Sequence, residues 1–376
     1  MRLIPGIILL CLILSCCSGP SAGNTGPGPA SAPPVQPQGS RILGMDANDP
    51  GSNYTFVQGY NDALSAGVRA GTVHVDWNSD EGPGSGPAHG IYSDYSSQLV
   101  DSDGYYAFTV PASKVSLTVS PIDTTGYMLP SDLSGSALDS AIVIGRFTNY
   151  IAWVFSMMPH ASFTSIQIGN EIDLPPAASA SVYWTRYKTF LSAVVPYIHS
   201  IRPGIKVGVT VSLYGLINGG VTVQSGILSL LGSVDVIGLT YYPIDSTTFQ
   251  DRDPSVVASD LSQVFALVGS TPVYLQEAGY PTSASCGGSD ASQAQFIHNL
   301  FAAWDSYQSR MPFVALLRLN DYSYAGALAM AGNYGLSGNA AFVAYLETLG
   351  LRTYAPSAPK TAWEALTSET AMRQWQ

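Results

Sequence analysis

The sequence predicts a (β/α)8 TIM barrel, a single domain with extended βα loops, and three observations lead there. Eight short apolar runs rich in β-branched residues recur between Arg41 and Asn320. Most are separated by longer segments of helical periodicity, the alternation expected of a parallel sheet. Several runs are almost continuously apolar, which suits strands covered on both faces. About 335 residues follow the N-terminal region, more than the ~250 of a plain barrel, so long loops are expected.

The expected strands are Ile42–Asp46, Thr72–Trp77, Val115–Pro121, Ser165–Glu171, Lys206–Ser212, Val234–Tyr242, Pro272–Glu277 and Phe313–Asn320. Helices are expected over Asn53–Ala70, Leu138–Met158, Val182–Ile201, Val223–Leu231, Pro254–Val268, Asp290–Ser309 and Asn339–Leu349. The third of these stops at Arg202-Pro203-Gly204, a helix-ending signal. The second unit is the irregular one. Between Trp77 and Val115 lie a Gly/Pro-rich loop and two short segments, Tyr92–Leu99 and Tyr105–Val110, and no long helix is expected there. An open doubly wound sheet is disfavoured, because Gly44-Met45-Asp46-Ala47-Asn48 lacks the Gly-rich phosphate turn.

Composition narrows the partners. Hydrophobic residues make up 46% and charged residues 11%, enough for a large core. The net charge of −11 argues against nucleic acid, whose phosphates need clustered Lys and Arg. The 22 Tyr and 6 Trp suit a neutral ligand with flat apolar faces, although aromatics are also ordinary core residues.

Arg2 precedes an apolar run, Leu3–Leu14, too short to span a bilayer and typical of an export signal. The expected division is a signal peptide over residues 1–15, an anchor and linker over 16–40, and the barrel over 41–376. Ile13-Leu14-Ser15-Cys16 resembles a bacterial lipobox, which makes Cys16 the expected lipidation site. The Gly/Pro/Ser/Ala run behind it reads as a flexible spacer. An exported lipoprotein held at the cell envelope is thus expected, its only membrane partner reached through the lipid anchor. In the body Cys286 stands alone, so neither a disulfide framework nor a Cys-based metal site is expected.

In such a barrel the functional residues sit at the C-terminal strand ends. Those positions hold Asp46, Asp76 with Trp77, Asp123, Asn170 with Glu171, Tyr214, Tyr241 with Tyr242, Glu277, and Asn320 with Asp321. Glu171 and Glu277 stand out, because a carboxylate directly after a buried strand is either paired or functional.

Gly169-Asn170-Glu171 at the fourth strand and Gln276-Glu277-Ala278-Gly279-Tyr280-Pro281 at the seventh resemble the two signatures of the clan A glycoside hydrolases. Asp235-Val236-Ile237-Gly238-Leu239-Thr240-Tyr241-Tyr242-Pro243 resembles the clan's sixth strand, where a Tyr contacts the nucleophile. The resemblance runs from about Arg41 to Leu366. In wording it is most similar to the arabinogalactan endo-β-1,4-galactanases. It departs from them in the second strand, Val73-His74-Val75-Asp76-Trp77, and many clan members end the eighth strand with a Trp where this chain has Arg318-Leu319-Asn320-Asp321.

The resemblance implies an O-glycosyl hydrolase of β-linked, galactan- or glucan-like carbohydrate. It implies Glu171 as acid/base and Glu277 as nucleophile, working by double displacement without cofactor or metal. Between the two tyrosines Tyr242 is favoured, being an even number of residues from Gly238 and Thr240 and so on the inward face with them, with Tyr241 as the substitute. Asn170 is expected at the sugar 2-hydroxyl. Asp76, Trp77, Asp46 and Asn320 complete the expected substrate-binding set. His74, in mid-strand, is expected in the core. A monomer is expected, and the competing reading is a catalytically silent carbohydrate-binding lipoprotein on the same fold. Mass spectrometry of the mature N-terminus is expected to find Cys16 first and acylated; an unmodified terminus beyond Cys17 would refute the tether.

Overall fold

The computed structural model describes residues 34–48, 55–81, 96–109 and 111–375. The signal peptide, Cys16 and most of the spacer lie outside these residues, as do positions 82–95 of the second loop.

Eight parallel strands close into a barrel. They are β1 (Ile42–Met45), β2 (Ala70–Asp76), β3 (Lys114–Ser120), β4 (Ser162–Ile168), β5 (Val207–Ser212), β6 (Val236–Tyr241), β7 (Val273–Ala278) and β8 (Phe313–Leu316). Each pairs with its sequence neighbours, and β1 closes the ring on β8 through Ile42↔Phe313 and Leu43↔Val314. The eight runs read from sequence are these eight strands. Two end three or more residues earlier than expected: β4 stops at Ile168, before Glu171, and β8 at Leu316, before Asn320.

The interior is filled in layers. At the N-terminal end Ala70, Val236, Tyr274, Phe313 and Ala315 form an apolar plug. Above it lies a polar layer, in which Ser116 Oγ donates to Gln276 Oε1 at 2.5 Å and Gln167 Nε2 to Ser165 Oγ at 2.9 Å. Glycine makes room for this layer: a Cβ on Gly208 would stand 2.4 Å from Gln167 Oε1. Helices pack their apolar faces on the outside of the strands. The longest, Ser181–Ile201, buries Tyr183, Trp184, Tyr187, Phe190, Leu191, Val194, Val195 and Ile198 at helical spacing.

The second unit departs from expectation. A 13-residue helix, Ser96–Phe108, fills the place where none was foreseen, burying Leu99, Asp103 and Tyr106. The central member of that i, i+4, i+7 face is an Asp, so no apolar stripe was visible. Asp103 serves as an acceptor for the backbone N–H groups of His160 and Ala161 at 2.9 and 2.7 Å.

After β8 the chain inserts two helices, Tyr324–Asn333 and Ala340–Glu347, before the closing helix Thr361–Met372. The insertion has its own apolar cluster, including Ala327, Ala331, Phe342, Val343, Tyr345 and Leu346. Cys286 is buried in that cluster, as an incidental residue would be.

The start and end of the barrel are pinned together by charge. Asp305 accepts from Arg41 Nη1 at 2.6 Å and from Arg373 Nη2 at 2.7 Å, and all three side chains are at most 3% exposed. Both guanidinium groups also stack on aromatics, Arg41 on Trp304 and Trp375, Arg373 on Phe301. Removing one member of a buried cluster strands the opposite charge. Asp305→Ala is expected to lose about 3–5 kcal/mol of stability in urea unfolding; a loss below about 1 kcal/mol would mean that the two arginines are solvated.

Candidate active site

The strand C-termini open on a cleft of about 910 Å³. Its lining includes Asp46, His74, Asp123, Asn170, Glu171, Thr240, Tyr242, Glu277 and Arg318.

Backbone geometry delivers Glu171. Gly169 has φ +91°, and a Cβ there would meet Ile172 Cγ2 at 2.7 Å, so only glycine fits the turn that ends β4. Glu171 itself has φ +42°, a strained position for a residue with a side chain. This double left-handed turn carries the carboxyl out of the strand direction and over the barrel mouth. There Oε1 accepts from Thr240 Oγ1 at 2.6 Å and Oε2 from Thr124 Oγ1 at 2.9 Å. Thr240 comes from β6. Thr124 comes from the turn of a small hairpin after β3, Ile122–Asp123 with Gly126–Tyr127.

Glu277 lies on β7 and receives Tyr242 Oη on Oε2 at 2.6 Å. Tyr242 follows β6 on the inward face, with Gly238 and Thr240. Tyr241 points outward, fully buried, and donates to Asp260 at 3.0 Å.

The two carboxyls differ electrostatically. Burial and the neighbouring charge of Glu277 push Glu171 up to about 8, against weaker opposition from the Thr240 and Thr124 hydroxyls. Burial also raises Glu277, but the Tyr242 hydrogen bond and the charges of His74 and Arg318 pull it back. Glu171 therefore holds a proton at neutral pH, while Glu277, though also raised on balance, has a hydrogen-bond donor and two cations that favour the anion.

Solved structures of the same architecture fall into place here. An exo-β-1,4-mannosidase from Opitutaceae bacterium strain TAV5 superposes with TM-score 0.62 at 17% identity, covering 89% of this chain; the chain spans 60% of that protein's length. The GH53 catalytic domain of Ignisphaera aggregans gives 0.62 at 17% identity, covering 91% of this chain and 99% of that one. The GH5_18 protein of Streptomyces cattleya, solved in complex with GlcNAc, gives 0.62 at 14% identity, with 89% and 80% covered. The barrel is one that glycosidases use. No family model and no curated protein sequence matches the chain.

Several expected site residues are placed elsewhere. Trp77 is fully buried and donates Nε1–H to Glu81 Oε2 at 2.6 Å, so it offers no stacking face to a ligand. Glu81 in turn binds Arg146 at 2.6 Å, which makes this a structural network behind β2. Asn320 is fully buried, donating to Asn48 O at 2.8 Å and accepting from Ser357 Oγ at 2.6 Å. It ties the β1 and β8 loops together. Asn170 lines the cleft but already donates Nδ2 to Asp123 Oδ1 at 3.0 Å. Asp46 lines the cleft as expected; burial raises its carboxyl and Arg318 opposes the rise. Asp76 contacts His74 at 3.3 Å.

His74 corrects the sequence reading. It is 37% exposed in the cleft, and its Nε2 meets Ser120 Oγ at 2.8 Å. Burial lowers it, yet the bond to Asp76 and the charges of Asp123, Asp76 and Glu277 prevail and raise it to about 9. It is a cation of the site. His74, Asp76 and Asp123 bring ligand atoms within 4.8 Å of one another. Asp123 Oδ1 of that group already accepts from Thr124 N, Thr124 Oγ1 and Asn170 Nδ2.

The residues that sequence reasoning missed are Thr124, Thr240 and Arg318. Parity on β6 was the available signal for Thr240, since it puts Thr240 inward beside Tyr242.

A proton held to about 8 has a cost to stability. An unfolded Glu ionises near 4.5, so between those values the native state binds more protons and stability falls as pH rises. Glu171→Gln is therefore expected to melt above the wild-type protein at pH 8 and to approach it at pH 4.5 in calorimetry. An equal difference at both pH values would mean that Glu171 ionises normally.

Proposed function

We propose that the protein is a retaining glycoside hydrolase of β-linked, galactan- or glucan-like polysaccharide or oligosaccharide, with Glu171 as acid/base and Glu277 as nucleophile. The observation that carries this is the division of labour between the two carboxyls. Glu171 is kept neutral up to about 8 while accepting only hydroxyl donors, and Glu277 is hydrogen-bonded by Tyr242 beside two cations. A pair of acids pushed apart in this way is what acid and nucleophile require. Solved structures with this barrel include an exo-β-1,4-mannosidase and a β-glycosidase, which agrees with that reading.

In the first step Glu171 gives its proton to the glycosidic oxygen as the C1–O bond breaks, and Glu277 Oε1 bonds to C1 from the opposite face. Oε2 stays on the Tyr242 hydroxyl, which shifts its hydrogen bond with the changing charge. In the second step the Glu171 carboxylate takes a proton from water, the oxygen of that water bonds to C1, and Glu277 leaves as carboxylate. Retention follows from the two inversions. Asn170, fixed by Asp123, and the Asp46 carboxyl lie where sugar hydroxyls would bind. At the other end of the chain, the lipobox-like Cys16 supports attachment to the cell envelope, with the spacer giving the barrel reach toward an insoluble glycan.

Glu171→Ala is expected to lose polysaccharide hydrolysis by at least ~10²-fold, the contribution of a general acid. With an aryl β-glycoside whose phenol is acidic, it should still release a burst, since glycosylation then needs no proton. Azide should restore turnover and yield the β-azide, and NMR of the wild-type reaction should show the β-anomer first. Glu277→Ala should be inert to both kinds of substrate. Azide rescue of Glu277→Ala to a β-azide would reverse the two roles, an α-azide there being the product of a missing nucleophile, and full activity in both variants would end the hydrolase reading.

A further inference from the structure

The cleft is short of positive charge. Asp46, Asp123, Glu171, Asp173 and Glu277 line it, and the basic residues among its described lining are His74 and Arg318. His74 is half neutralised by its own contact with Asp76. Arg318 is different in kind. It is 4% exposed, its guanidinium lies 3.5 Å from the centre of the Tyr322 ring, and Nε and Nη1 have no acceptor.

Backbone contacts fix where it stands. Leu317 N donates to Ala278 O at 2.9 Å, which sets Arg318 beside the end of β7, next to Glu277. On the other side Leu319 N donates to Asp46 O at 2.8 Å and Asp46 N to Leu316 O at 3.3 Å. Arg318 is thus bracketed between the strand ends that bear Asp46 and Glu277. A buried guanidinium ordinarily takes a bidentate carboxylate partner. Among the described residues it has none, and its charge acts on both acids through space, in surroundings where Coulomb terms are stronger than in water.

The missing hydrogen bond has chemical value. Glu277 Oε2 is occupied by Tyr242, while Oε1 accepts from none of the described residues. A direct ion pair with Arg318 would hold the lone pair that has to attack. We propose that Arg318 is a positioning residue that keeps Glu277 ionised through space and so leaves Oε1 free as the attacking atom. The inference rests on the hydrolase reading for the word nucleophile, though not for the ionisation itself.

Two of the other groups facing Glu277 act in the same sense and more strongly, the Tyr242 hydrogen bond and the charge of His74. Tyr242 from β6 gives one hydrogen bond. Glu171 from the β4 loop and Asp123 from the β3 loop favour its protonation. Tyr334 and Tyr345, from the insertion after β8, are neutral phenols raised by burial. His74 from β2 helps only while protonated, and Asp76 beside it offsets that help. Arg318 adds a guanidinium charge to that of His74.

The test is a titration that needs no substrate. The chain has six Glu residues, so protein labelled with ¹³C at the Glu side-chain carboxyl gives a countable set of signals. Glu277 is assigned by its absence in Glu277→Gln. Arg318→Met is expected to raise the Glu277 midpoint by about one unit or more, the usual effect of losing a nearby opposite charge. Arg318→Lys should restore most of it, and Arg318→Gln should behave as Met does. Glu369, bound to Arg373 and His298, reports on the fold in the same spectra and should not move. In hydrolysis the acid limb of kcat/KM should follow the Glu277 midpoint. An unmoved midpoint in a neutral variant with Glu369 unchanged overturns the proposal, as does a Lys variant shifted as far as Met. Absence of turnover in wild-type protein, with the NMR shift present, would fault the hydrolase reading and leave the action of Arg318 on Glu277 standing.

Discussion

The burial of two acids, Glu171 and Glu277, in one mouth is the constraint around which the cleft is arranged, and their repulsion adds to it. A closed parallel barrel aims every strand end at one mouth, so acids from opposite sides of the ring are forced to share it. Two unit charges a few ångströms apart at an effective dielectric near 20 repel by about 4 kcal/mol at ~4 Å. Both cannot ionise freely near neutral pH, and one proton must stay. The rest of the site decides which carboxyl keeps it. Thr240 and Thr124 can donate to either form of Glu171 and impose no charge, whereas Tyr242, His74 and Arg318 collect around Glu277.

Positioning depends on small residues as much as on charged ones. Gly169 permits the turn that lifts Glu171 off β4. Gly279, just after β7, lies where a Cβ would come within 2.9 Å of both Leu317 O and a carbon of the Tyr242 ring. The Tyr242–Glu277 contact therefore relies on a glycine two residues along the chain. Beneath both carboxyls the polar layer of Ser116, Ser165, Gln167 and Gln276 supplies a firm, hydrogen-bonded floor.

Eight strands were legible because both faces of each are buried, leaving apolar runs that stand out against Gly- and Pro-rich loops. Strand ends were less legible: Asn170-Glu171 and Leu317–Asn320 continue the composition of a strand after the backbone has turned away. The helix Ser96–Phe108 was hidden by Asp103, a buried polar residue in the middle of its inner face. In the site, rank order followed chemistry. Carboxylates after strands were visible from local sequence, and parity separated Tyr242 from Tyr241. Partners were not visible. Thr124 acquires its role from Glu171, 47 positions away, and His74 from Ser120, 46 positions away. Trp77 and Asn320 looked like ligand contacts at strand ends, but each turns into a network behind the mouth, with Glu81 and with Asn48 and Ser357. Nothing local distinguishes those directions.

The insertion after β8 has a bearing on the cleft in two ways. It contributes Met330, Tyr334, Leu336, Phe342 and Tyr345 to one wall of the cleft, yet it packs around an apolar cluster separate from that of the barrel. A change in that cluster reshapes the wall and also reaches Tyr242 and Leu317, which pack against it. The insertion therefore shapes one wall of the cleft and the seat of the tyrosine that holds Glu277 at the same time.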